Sequence, residues 1–184
     1  MKKLICAVLA LSLMIAMTGC GGSKQAETTA SETTAPEDSL VGSMEELLEK
    51  VIEARPVEFT GGVIPIDLTD TSEDGLWAIK SYTGLEDANQ LKEAAAYEPM
   101  MGSLAFSMVM VRTKGGEDPK AVAEAMKAGV DPRKWICVEA DDVKAAGIGD
   151  VVMLIMVSTT GDMTAQSFVD AFQTVAGRDC DFVI

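Results

Sequence analysis

The most chemically suggestive pattern in this sequence is the first half of a calcium-binding loop. The segment 70–75, DTSEDG, has side-chain oxygens at the first, third and fifth positions and a glycine at the sixth, as an EF-hand loop does. The twelfth position of such a loop carries a bidentate glutamate, and here it is Ser81. The same acids also suit the first turn of a helix. We therefore expect helix capping here rather than calcium binding.

Two further sets of residues offer metal ligands. Asp141, Asp142 and Asp150 flank a predicted loop and would suit a hard cation if they converged, but loop acids are usually just solvated. Thioethers with Cys137 would suit Cu(I), although methionines spaced for strand and helix interiors are typical of core packing. We expect no metal site and no cofactor. The methionines in question are Met100, Met101, Met108, Met110, Met126, Met153, Met156 and Met163.

The chain lacks a recognisable catalytic set. It contains no histidine, the commonest general base. No Ser-x-x-Lys pattern occurs in the folded part, and no glycine loop of a phosphate-binding type is present. Paired carboxylates could hydrolyse a glycan, but nothing selects two of the many acids. The expected function is a non-enzymatic accessory or binding module, and the alternative is an envelope hydrolase that uses paired carboxylates.

The N-terminus predicts export and lipidation. Lys2 and Lys3 precede an apolar stretch from Leu4 to Ala16, which is too short for a permanent membrane span. Residues 17–20, MTGC, resemble the lipobox of bacterial lipoproteins, with methionine where the pattern usually has leucine. The resemblance implies cleavage between Gly19 and Cys20 and a diacylglyceryl group on Cys20. It therefore implies a lipid-anchored protein on the extracellular face of the cell membrane.

The mature chain is expected to have two parts. Residues 20–42 are rich in threonine, serine and glutamate and predict a disordered tether, and residues 43–184 predict a single domain. Without Lys2 and Lys3 the mature chain keeps 13 basic and 29 acidic residues, a net charge of −16. This charge repels nucleic acid. The expected partner is a protein or a small ligand, which the sequence does not identify.

Two cysteines, Cys137 and Cys180, remain in the predicted domain. An even pair in an exported domain allows a disulfide, but a sequence does not show whether the two residues are near enough to form one. The favoured interpretation is two reduced, partly buried thiols.

The hydrophobic pattern predicts an α+β fold. Ser43 and Glu46 form a capping-box pattern, while Gly84 and Gly177 mark helix ends. The order is α-α-β-β-α-β-β-α, with helices packed on a small, mainly antiparallel sheet of about four strands; the proline in 63–66 argues for an edge or a loop. Helices are predicted at 44–54, 71–83, 119–128 and 164–176, and strands at 91–97, 104–113, 134–139 and 151–157.

This order, together with particular residues, resembles a family of uncharacterised lipoproteins found mostly in Gram-positive anaerobes. The family is classified as a domain of unknown function. The resemblance covers roughly Leu47 to Val175 and implies surface attachment, with no known activity and no functional residues to carry over. It rests on the helix that ends in Tyr82-Thr83-Gly84, the strand from Ser103 to Arg112, the helix after Asp118, and the strand pair that leads to Phe172.

Overall fold

A computed structural model describes residues 40–160 and 163–184 of the chain. The predicted signal peptide, the lipobox with Cys20, and residues 20–39 of the predicted tether lie outside the described residues. Within the described ranges, no helix is both long enough and apolar enough to cross a membrane.

The four predicted helices are confirmed. The Ser43–Glu46 capping box is present, and Gly84 and Gly177 end their helices in the left-handed conformation. The second helix begins two residues later than predicted, because the Ser72 side chain caps it by accepting a hydrogen bond from the Gly75 N–H. The helices are α1 (Met44–Ala54), α2 (Glu73–Thr83), α3 (Pro119–Gly129) and α4 (Ala165–Ala176).

The α+β class is also confirmed, but the antiparallel sheet has six strands rather than about four. The strands are β1 (Gly61–Pro65), β2 (Leu91–Pro99), β3 (Phe106–Thr113), β4 (Asp142–Ile148), β5 (Val151–Val157) and β6 (Phe182–Val183). They lie in the order β1-β2-β3-β5-β4-β6, and every neighbouring pair is antiparallel. The element order is therefore α1-β1-α2-β2-β3-α3-β4-β5-α4-β6 instead of the predicted one.

The predicted strand at 134–139 is wrong. This segment is an irregular loop in which Ile136 is exposed and Cys137 has a positive φ of 63°. An extended strand does not accommodate that conformation. The place beside β5 is taken instead by β4, whose central residues Ala145, Ala146 and Gly147 have low strand propensity.

The sheet is covered on both faces. Because successive side chains in a strand alternate, β3 and β5 send Met108 and Ile155 toward α1 and α4, and Val109 and Leu154 toward α2 and α3. Every residue of β3 and β5 is buried. In α3 the buried side chains are those of Val122, Ala123 and Met126.

A buried arginine fastens the start of the domain to the sheet. The Arg112 side chain is 7 % exposed and pairs with Asp150 at 2.9 Å and with Glu93 at 3.5 Å. It also donates hydrogen bonds to the carbonyl oxygens of Leu40 and Gly42. The last residues that the sequence assigns to the tether are thus held against β3.

Replacing Arg112 with methionine should lower the free energy of unfolding by about 3 kcal/mol, because Asp150 and two carbonyl groups lose a buried partner. Urea unfolding followed by circular dichroism measures this. The control is Glu86→Gln, which removes an exposed ion pair with Lys80 and should cost less than about 1 kcal/mol. Equal losses for the two variants would contradict the assigned role of Arg112.

Candidate functional site

A cavity of about 770 Å³ opens on the side of the sheet that α2 and α3 cover. Its floor is formed by β1 and β2, one wall by α2, and the other wall by the end of α3 and the loop that follows. The lining residues are Ile64, Trp77, Lys80, Ser81, Tyr82, Glu98, Pro99, Gly129, Asp131, Lys134 and Trp135.

Two glycines set the distance between the walls. A Cβ atom on Gly129 would collide with the carbonyl oxygen of Gly84, so the C-terminal ends of α2 and α3 touch backbone to backbone. Gly84 also needs its freedom for a φ of 77°. This contact brings Tyr82, in the last turn of α2, close to the loop that carries Lys134 and Trp135.

Lys134 fastens that loop to the sheet. Its ammonium group donates hydrogen bonds to Glu98 Oε1 at 2.8 Å and to Ser107 Oγ at 3.1 Å, and lies 3.5 Å from the carbonyl oxygen of Ser81. Ser107 in turn donates a hydrogen bond to Glu98 Oε1 at 2.6 Å. The Lys134 and Glu98 side chains are each only 14 % exposed. The ion pair is therefore shielded from water and holds an otherwise irregular segment in place.

Aromatic rings surround this ion pair. The Lys134 ammonium nitrogen lies 5.2 Å from the centre of the Tyr82 ring and 5.3 Å from that of Trp135, which is cation–π geometry. Burial and the Glu98 carboxylate raise the pKa of Tyr82, so its hydroxyl keeps its proton at neutral pH. Trp77 stands on the α2 wall and is 70 % exposed. Both tryptophans of the chain line this cavity.

The serine–lysine contact does not form a nucleophile. Ser107 lies in the middle of the covered sheet and is fully buried. Its hydroxyl proton is directed to Glu98, and Lys134 is itself hydrogen-bonded to the same carboxylate. A substrate in the cavity would therefore meet aromatic faces and an ion pair rather than a free hydroxyl beside a base.

The acids singled out from the sequence do not converge. Asp141 accepts hydrogen bonds from Thr159, which lower the pKa of Asp141. Asp142 accepts the backbone N–H of Ala165 at the start of α4, and Asp150 pairs with Arg112. Within the described ranges, no group of three or more His, Cys, Asp or Glu side chains is arranged to hold a metal ion.

The segment 70–75 caps α2, but the capping side chain is that of Ser72 rather than one of the acids. Asp70 accepts a hydrogen bond from the backbone N–H of Ser72, and hydrogen bonding with Ser72 lowers the pKa of Asp70. Ser72 then caps α2. Most of the methionines that suggested copper are fully buried core residues, namely Met108, Met110, Met126, Met153 and Met156, whereas Met100 and Met101 are exposed.

Cys137 and Cys180 are both free thiols. Cys137 is exposed in the loop after α3, while Cys180 is half-buried against the core beneath α1 and α4. Burial raises the pKa of the Cys180 thiol to about 11, so the reactive thiolate is scarce at neutral pH.

A second depression, of about 550 Å³, lies at Phe59, Met101, Leu104 and Met163, beside the segment 55–58. Its lining is mainly apolar, and Arg55 and Glu58 are its charged members. Since it lacks the convergent polar groups that fix a ligand's orientation, we take the cavity at Lys134 as the functional site.

The sequence pointed to none of the cavity residues as a site. They come from four separate segments, and Glu98 and Lys134 are 36 residues apart. The available signal was composition, since the chain has only two tryptophans and both line the cavity.

A scan against protein-family models finds no match for this chain, and comparisons with curated proteins and with solved structures find none either.

Replacing Lys134 with methionine should lower the free energy of unfolding by about 2 kcal/mol, because Glu98 and Ser107 lose their shielded partner. It should also free the loop, so that iodide quenches tryptophan fluorescence more strongly. The matched control is Lys127→Met, an exposed lysine on α3. If iodide quenches the fluorescence of the two variants equally, Lys134 does not position the loop.

Proposed function

We propose that this protein is a lipid-anchored extracytoplasmic binding protein without enzymatic activity, and that the cavity between α2 and the 130–135 loop is its ligand site. The observation that carries the proposal is that Trp77, Tyr82 and Trp135 line one cavity together with the fixed ion pair of Lys134 and Glu98. A concave site with aromatic walls and a few oriented polar groups is the usual form of a small-molecule site.

The proposed location rests on the sequence. The lipobox-like ending at Cys20 and the tether-like segment after it favour attachment to the outer face of the cell membrane, with the domain held clear of the surface. Acyl chains supply about 0.8 kcal/mol of membrane affinity per buried CH₂ group, so two or three chains hold a protein firmly. Membership of the lipoprotein family named above belongs to the same proposal.

A binding role is favoured over catalysis by how the reactive groups are used. Glu98 Oε1 accepts hydrogen bonds from Lys134 and Ser107, and Asp131 accepts the backbone N–H of Arg133. These are the two carboxylates of the cavity, and a glycosidase would need one as an acid and the other as a base or nucleophile. Because each already serves the protein's own structure, we place the paired-carboxylate hydrolase second.

Changing Cys20 to serine should abolish lipid attachment, because serine offers no thiol for the diacylglyceryl group. Metabolic labelling with radioactive palmitate measures this: the parent chain is expected to carry the label and the variant to carry none. Cys137→Ser serves as the matched control and should be labelled like the parent. A variant that is still labelled would show that Cys20 is not the anchor.

The non-enzymatic role predicts no turnover of envelope glycans. Purified protein should release no more reducing ends from cell-wall glycan than the double variant Glu98→Gln, Asp131→Asn does. Release by the parent chain that this double variant abolishes would replace the binding proposal with the hydrolase. Far-ultraviolet circular dichroism of parent and variant, compared first, shows that both are folded.

A further inference from the structure

The geometry of the cavity points to its ligand: we infer that it binds an uncharged saccharide, with sugar rings stacked on Trp77 and Trp135. This inference rests on the proposed function and specifies the class of ligand. Four observations carry it, and they concern the aromatic surfaces, the occupied cation position, the charge balance and the remaining hydrogen-bonding atoms.

The aromatic surfaces are placed where a ligand meets them. Trp77 is 70 % exposed on the α2 wall, although an indole is among the most costly side chains to leave in water. Trp135 lies on the opposite wall. The C–H groups on one face of a sugar ring form a flat apolar surface that packs on an aromatic face. Indoles on two walls of one cavity therefore offer apolar surfaces to more than one ring of a saccharide chain.

A cationic ligand is disfavoured because its place is already taken. Two rings of the cavity could surround an ammonium group, namely those of Tyr82 and Trp135. The ammonium nitrogen of Lys134 already lies 5.2 and 5.3 Å from the centres of these rings. A second cation would have to displace Lys134 from Glu98, to which it is bonded at 2.8 Å.

The charges of the cavity are balanced, which disfavours an anionic ligand as well. Lys134 is paired with Glu98, Lys80 is paired with Glu86 at 2.7 Å, and Asp131 lies 3.9 Å from the guanidinium of Arg133. The chain carries a net charge of −14, and that field repels anions. A fully apolar ligand is disfavoured in turn, because it would cover the Lys134–Glu98 pair without bonding to it.

Hydrogen-bonding atoms remain for the hydroxyl groups of a sugar. In the described part of the chain, both side-chain hydrogen bonds to Glu98 end on Oε1, which leaves Oε2 as an acceptor at the cavity floor. The Tyr82 hydroxyl, which like any phenol carries its proton at neutral pH, is a donor. A volume of about 770 Å³ lies within the range of ligand pockets and holds roughly two or three linked rings.

The test uses the tryptophans themselves. Since both lie in the cavity, the whole indole emission of the protein reports on it. The full lipidated chain, in a detergent without a sugar head group, is titrated separately with N-acetylchitotriose, cellotriose and maltotriose. At least one trisaccharide should change the emission saturably below about 10 mM, a weak but specific affinity.

Two neighbouring variants on α2 show whether the saccharide binds in the cavity. Trp77→Ala should weaken binding at least tenfold while leaving the melting temperature nearly unchanged, because this side chain is largely exposed. Leu76→Ala, one residue away on α2 and outside the cavity lining, should bind as the parent does. Sedimentation with insoluble cell-wall glycan, in the presence and absence of the best trisaccharide, distinguishes a wall-bound ligand from a free one.

No saturable change with any trisaccharide, or binding that Trp77→Ala leaves intact, overturns the saccharide inference. Binding of a ligand of another class that does depend on Trp77 would leave the proposed binding function standing while rejecting the sugar. Hydrolysis of glycan that depends on Glu98 would reject the binding function itself. The three failures are therefore distinguishable.

Discussion

Burial of β3 and β5 on both faces constrains the rest of the molecule. All their side chains are enclosed, so the two central strands are usable for neither binding nor chemistry. Each face must carry a pair of helices, because leaving one bare would expose Val109 and Leu154, or Met108 and Ile155, to water. Polar groups that act on other molecules are consequently confined to strand ends, to sheet edges and to the gaps between helices.

The proposed ligand cavity is such a gap. At the contact of Gly84 with Gly129 the helices α2 and α3 meet by their C-terminal ends, and residues of β1 and β2 line the floor of the gap beside that contact. The loop after α3 closes the gap only partly. It stays in place because Lys134 reaches down to Glu98 and Ser107. The same ion pair that stabilises the loop therefore forms the polar floor of the cavity.

Arg112 holds the first residues of the domain in place in a similar way. It lies on the face covered by α1 and α4, near the strand end, where Glu93 and Asp150 neutralise its charge. Two carbonyl groups of the incoming chain accept hydrogen bonds from it. In both places a partly buried cation holds irregular backbone against regular structure. Breaking either is costly because its partners would be left buried without a counter-charge.

The helices could be read from the sequence because their ends carry local signals, such as Ser43 with Glu46 and the glycines at 84 and 177. The strands β2, β3 and β5 were also recovered from their apolar residues. In contrast, β4 lacks such a signal, because one of its residues is the glycine Gly147. A side chain there would collide with the ring of Phe182, which comes from the far end of the chain and is not visible in the local sequence.

The cavity could not have been predicted either, because it also depends on contacts between residues that are distant in the sequence. Its central ion pair and its aromatic walls are brought together only by the packing of α2, α3 and the sheet, and no local pattern marks them. The 134–139 segment even has the composition of a strand, but the place beside β5 is taken by β4.

The most direct test of the account is to map where a ligand touches the domain. In ¹⁵N–¹H spectra the indole signals of Trp77 and Trp135 are resolved from the backbone amides, and they can be followed while cell-wall saccharides are added. We predict that both indole signals and the amides of the 130–135 loop shift, while those of α1 and α4 on the opposite face stay unchanged. Shifts confined to the depression around Phe59 and Met101 would contradict the account.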